Sequence, residues 1–149
     1  ALTDSAPLII AKVKGFYDKY GMTDVSVEKQ ASWGTTRDNL VLGSGGGGID
    51  GAHILTPMPY LISKGIVTDG REVPMYILAR LNTNGQGISL SNDYLDLNVG
   101  VDSSPLKDAF AQRKAAGSEL KAAMTFPGGT HDLWIRYWLA AGGIDPDQD

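Results

Sequence analysis

Thr125-Phe126-Pro127-Gly128-Gly129-Thr130-His131-Asp132-Leu133-Trp134-Ile135-Arg136-Tyr137-Trp138 is the stretch on which the fold turns. Residues 121–125 read as a short apolar strand running into the Pro-Gly-Gly loop. That loop opens onto a helix whose apolar residues Trp134, Tyr137, Trp138 and Ala141 recur at i, i+3, i+4 and i+7. Thr130 or a neighbour is placed to cap this helix, and the glycines let the backbone approach a ligand closely. Unpaired N–H groups at a helix start, backed by the positive end of the macrodipole, make a general anion site. The expectation is that several such starts converge on one small anion.

Outward from this stretch the arrangement recurs. Thr3, Asp4 and Ser5 precede Ala6-Pro7, a helix-start signal, and Ile9, Val13 and Phe16 continue as a stripe that stops between Gly15 and Gly21. Residues 25–28 alternate like a strand, and residues 31–35 read as a loop holding Trp33. Residues 35–42 read as a short helix stopped by the run 43–48. Residues 51–55, including His53, are expected as a strand feeding a helix capped by Thr56. Residues 75–81 and 87–90 are expected as strands about the polar corner Asn82-Thr83-Asn84-Gly85-Gln86. Residues 92–102 read as loop with one helical turn, and residues 105–116 as a helix that Gly117 stops. Strands alternating with helices predict an α/β fold with a largely parallel sheet, its ligands at the carboxyl ends of the strands. The pattern opens on a helix cap and closes after a helix, so it reads as incomplete.

Composition narrows the function. A net charge of −4 over 149 residues leaves no basic stripe for nucleic acid. A small anion remains open, because a local cluster of N–H donors holds one whatever the global charge. No apolar run is long enough to span a membrane, and no cysteine offers thiolate or metal chemistry. The first residues lack the charged and apolar regions of a secretory leader. Residues 43–48 satisfy G-x-G-x-x-G with Asp69 beyond, but a helix precedes them and none of length follows, so they read as a flexible connection.

The histidines His53 and His131 fit no zinc spacing, and no nucleophile elbow or catalytic carboxylate pair exists. No cofactor or metal is expected, and Asp145, Asp147 and Asp149 read as a solvated acidic turn. His131 is either a cleft-facing donor or a capping residue, and His53 either packs or ligates. Trp33 either walls a ligand cavity or packs on its own domain. The amides of Asn82, Asn84 and Gln86 are either a solvated turn or uncharged donors suited to an oxyanion.

Residues 6–11 with Gly15-Phe16, Gln30-Ala31-Ser32-Trp33-Gly34, residues 51–61, residues 74–79 and residues 125–146 together resemble the nitrate-binding substrate-binding proteins of ABC uptake systems and their bicarbonate-binding relatives. The resemblance runs over nearly the whole chain. It implies a three-layer, type II periplasmic-binding-protein-like fold, incomplete here. Residues 1–90 would form most of lobe I without its first strand, and residues 91–149 the start of lobe II. It further implies a non-enzymatic solute-binding component, periplasmic or lipid-anchored, that closes an interlobe cleft on nitrate, nitrite or bicarbonate and delivers it to a membrane permease. The same family places an indole near residues 53–57, where this chain has His53, Ile54 and Leu55. The family's amide donor falls at Asn84 or Gln86, and its second-lobe helix start at Gly128-Gly129-Thr130-His131. The expected ligand set is Ala6, Trp33, His53, Thr56, Asn84, Gln86, Gly129, Thr130 and His131. Unpaired sheet edges would favour a homo-oligomer. Alternatives are an organic-substrate binder of the same fold, for sulfonates or thiamine precursors, and an anion-sensing domain fused to a transporter ATPase.

Overall fold

The computed structural model describes residues 3–83 and 85–148, so the candidate Asn84 lies outside the described residues. The chain divides into two compact units, residues 1–84 and 85–149.

In the first unit a 3-10 turn, Thr3–Ser5, leads into α1, Ala6–Val13, with proline in its first turn. Gly15, at φ 68°, turns the chain into α2, Phe16–Lys19. The Tyr17 hydroxyl donates to the Leu8 carbonyl at 3.3 Å and pins α2 to α1. Helix α3, Trp33–Leu42, starts two residues before the sequence expectation, inside the segment read as a loop. The reason is Ser32, whose hydroxyl accepts from the Thr35 N–H at 3.1 Å and caps the helix. At its far end the Gly43 and Ile49 N–H groups both donate to the Asn39 carbonyl at 3.0 Å. A side chain at Gly48 would put Cβ 2.1 Å from that same oxygen, so this close return requires glycine. Helix α4, Pro57–Ser63, packs against α3 and buries Met58 and Ile62, which share a face at i, i+4.

The second unit begins with an irregular segment and a 3-10 helix, Asn92–Leu97, whose start Ser91 caps by accepting from the Asp93 N–H at 3.3 Å. Helix α5, Leu106–Ala115, ends as expected at Gly117, φ 73°, where the Ser118 N–H returns to the Arg113 carbonyl at 2.9 Å. Tyr94 meets Phe110 edge-on at 5.6 Å and accepts from Arg113 at 2.8 Å, which docks the 3-10 helix on α5. Helix α6, Thr130–Ala141, is anchored by its C-terminal half. The Ser103 hydroxyl donates to the Trp138 carbonyl at 2.6 Å, and the Trp138 indole donates to the Val101 carbonyl at 2.9 Å. Leu106, Ser103 and Ile144 are buried around this joint.

The expected strands are the main correction. None of residues 25–28, 51–55, 75–81, 87–90 or 121–125 forms a strand among the described residues. A strand exists through its ladder, and no backbone hydrogen bond ties residues 76–83 or 85–90 to another segment among the described residues. Their apolar side chains stay uncovered: Tyr76 is 84% and Leu78 95% exposed. The α6 stripe forms as a helix, yet Trp134 is 56% and Tyr137 72% exposed, so periodicity announced the helix and not its burial.

Candidate functional site

In the first unit, three stretches far apart in sequence meet at one side chain. The Asn82 amide nitrogen donates to the Asp4 carbonyl at 3.1 Å and lies 3.0 Å from Nε2 of His53. Asp4 sits in the turn just ahead of Ala6, so the start of α1, the His53 segment and the polar corner are brought together. His53, Asp4 and Ala6 are half-buried, while Asn82 is exposed. Half-burial shields these polar groups without removing their access to a ligand from solvent. Asn82 stood in the polar corner but outside the expected ligand set. The corner's density of amides was its signal, whereas nothing in the sequence announces the Asp4 carbonyl as its partner.

The Thr56 start departs from expectation. Thr56 has helical backbone angles and makes no side-chain cap bond. Pro57 and Pro59 carry no N–H, and the Met58 N–H is bonded to the Leu55 carbonyl at 3.0 Å. This helix start therefore presents few amide donors, and its exposed threonine hydroxyl is the group left to offer. Trp33, the first residue of α3, is half-buried.

In the second unit the Pro-Gly-Gly loop and the start of α6 form a second cluster. Gly129, buried and in extended conformation, is the cap residue, so Thr130 stands one position inside the helix and makes no cap. No side chain caps the helix; the Asp132 carboxylate ties the loop to it instead, accepting from the Gly128 N–H at 2.7 Å and from Arg136 at 2.7 Å. Burial raises the Asp132 pKa, but the Gly128 N–H and the Arg136 guanidinium outweigh it and hold the carboxyl below its ordinary value. Arg136 also reaches Asp147 at 2.5 Å, and the two carboxylates raise its own pKa. The helix start thus already holds one negative charge, balanced by one positive. Thr130, His131 and Asp132 provide the first-turn N–H groups that no helical carbonyl precedes. His131 is half-buried, and its Nδ1 lies 2.9 Å from the Thr125 hydroxyl, which fixes the ring's direction. Gln86 is exposed in the irregular segment. Among the described residues no group of three or more His, Cys, Asp or Glu gathers as for a metal, and no helix is long and apolar enough to cross a membrane.

Each unit thus gathers polar groups beside a helix start: His53 and Asn82 ahead of α1, and His131, Asp132 and Arg136 at α6. Comparison with known proteins gives this arrangement a context. The nitrate/nitrite binding protein NrtA of Synechocystis sp. is 74% identical over 149 residues, which is 100% of this chain and 32% of that protein. The bicarbonate-binding protein CmpA of Synechococcus elongatus is 51% identical over 147 residues, 98% of this chain and 32% of that one. The crystal structure of the periplasmic nitrate-binding protein NrtA from Synechocystis PCC 6803 superimposes with a TM-score of 0.90 at 73% identity, covering 99% of this chain and 37% of that one. The chain therefore has the backbone course of part of a periplasmic binding protein and spans about a third of the length of the curated relatives it matches. The profile described as the NMT1-like family matches residues 1–149, and the chain belongs to that family.

Proposed function

We propose that this chain is part of the solute-binding component of an ABC anion importer, binding nitrate or nitrite without chemical change. The observation that carries the reading is the meeting of His53, Asn82 and the turn ahead of Ala6, which fixes an imidazole and an amide beside the start of α1. Nitrate has one diffuse charge and accepts hydrogen bonds in its plane, so neutral N–H and O–H groups suit it better than full charges. The identity to NrtA favours nitrate and nitrite over bicarbonate, since CmpA is the more distant of the two relatives. The residues proposed to contact the ion are Ala6, Trp33, His53, Thr56, Asn84, Gln86, Gly129, Thr130 and His131.

On this reading the fold is the three-layer α/β type, with residues 1–90 in one lobe and 91–149 in the other. The uncovered segments 75–83 and 121–125 become strands by pairing with the remainder of the protein. A permease powered by an ATPase receives the ion, and the protein works in the periplasm or anchored at the cell envelope. Calorimetric titration of the full-length protein with nitrate, nitrite, bicarbonate and sulfate tests the assignment. Tight binding of nitrate or nitrite is expected; tight sulfate binding without a nitrate response overturns it.

A further inference from the structure

Asn82 links three stretches of sequence through two hydrogen bonds, and their chemistry decides more than their geometry does. A carbonyl oxygen only accepts, so the Asn82 atom 3.1 Å from the Asp4 oxygen is the amino nitrogen and not the amide oxygen. That amino nitrogen only donates. At 3.0 Å from His53 Nε2 it therefore needs a bare, accepting nitrogen there. An imidazole with a bare Nε2 carries its hydrogen on Nδ1. Among the described residues, Nδ1 of His53 meets no protein partner.

We propose that Asn82 is a positioning residue of the anion site: it locks His53 in the neutral Nδ1–H form and so sets the site's preference for anions that carry no proton. The proposal rests on the anion-binding reading above and adds its selectivity. Nitrate and nitrite only accept hydrogen bonds, and the Nδ1–H meets that need. Bicarbonate brings an O–H that requires an acceptor, and the acceptor on this ring is already taken by Asn82. Once the cleft of the proposed reading closes over the ion, a donor left unmet costs more than one satisfied bond contributes. The bond to Asp4 matters as much as the bond to His53, because it stops the amide from flipping to offer its oxygen instead.

The test uses the full-length protein with isotope-labelled histidine. Long-range proton–nitrogen correlation spectra report which ring nitrogen holds the hydrogen, with or without ligand. The unaltered protein is expected to show His53 with a bare Nε2 and a protonated Nδ1. Asn82→Asp, whose carboxylate only accepts, is expected to move the hydrogen to Nε2. Asn82→Ala, which leaves Nε2 to water, is expected to release the lock without adding charge. In both variants the calorimetric preference for nitrate over bicarbonate should fall on the order of tenfold, the worth of about one hydrogen bond. A ring that holds its hydrogen on Nε2 in the unaltered protein, or one unmoved in both variants, overturns the proposal whichever anion binds. A ring that switches while the preference stays within about twofold overturns the selectivity it was argued to set. Failure of the unaltered protein to bind nitrate would instead defeat the anion reading, and the ring's form, read without ligand, tells the two failures apart.

Discussion

Asp132 is the residue on which the start of α6 depends. It accepts from the loop N–H of Gly128 and from Arg136, and its side chain is only 14% exposed. Replacing it by asparagine removes the charge that both donors face, and the unfolding free energy should fall by about 1–2 kcal/mol at neutral pH, read from the denaturant midpoint. The pH dependence has a definite sign. The folded state favours the carboxylate, so its contribution is complete above the ordinary value of 3.8 and is lost as pH falls through the lower folded-state value. The stability gap between the two proteins should therefore close in acid and open toward neutrality; a gap that widens in acid would contradict the assignment. His131, oriented by Thr125, is expected to act differently. In the full-length protein His131→Ala should weaken nitrate binding about tenfold or more while leaving thermal stability nearly unchanged, as a donor facing the ligand would.

Among the helices, caps and close returns set the boundaries. Ser32, read as part of a loop, makes a cap bond, and Thr56, read as a cap, does not. Ser32→Ala should cost about 1 kcal/mol, and Thr56→Ala less than about half of that, measured by chemical denaturation side by side. Equal losses would mean that the Thr56 hydroxyl has a structural role not seen in its bonding. Gly142 has ordinary backbone angles but no room: an added Cβ would lie 2.1 Å from the Ser103 hydroxyl and 2.6 Å from the Ser104 nitrogen. Gly142→Ala should therefore destabilise the α6 joint by about 2–3 kcal/mol, since Ser103 is buried and bonded to Trp138 and cannot step aside freely. These helices were legible because their signals are local. Pro7, Pro105 and Gly117 act within a turn of where they stand. The start of α3 was missed because Trp33-Gly34 reads as loop, while its cap depends on one hydroxyl three residues before the expected boundary.

Over the molecule as a whole, the strand-like segments are its least covered part. Residues 76–83 and 121–125 carry exposed apolar side chains, Tyr76, Leu78 and Met124 among them, and the curated relatives are about three times as long as this chain. In the full-length protein these backbone amides should resist hydrogen exchange by orders of magnitude more than in the 149-residue chain alone; equal exchange would deny them a sheet. Sequence by itself determined the helices, their stops and the shortlist of neutral donors, because proline, glycine and 3.6-residue periodicity act over a few residues. It also carried the likeness to anion-binding proteins through runs such as residues 51–61 and 125–146. Tertiary structure alone decided that Asn82 joins His53 to Asp4, that Ser103 holds Trp138 of α6, and that the strand-like runs stand unpaired among the described residues. Those outcomes depend on which distant groups come within about 3 Å of one another, a property of hydrogen-bond geometry that no local pattern encodes.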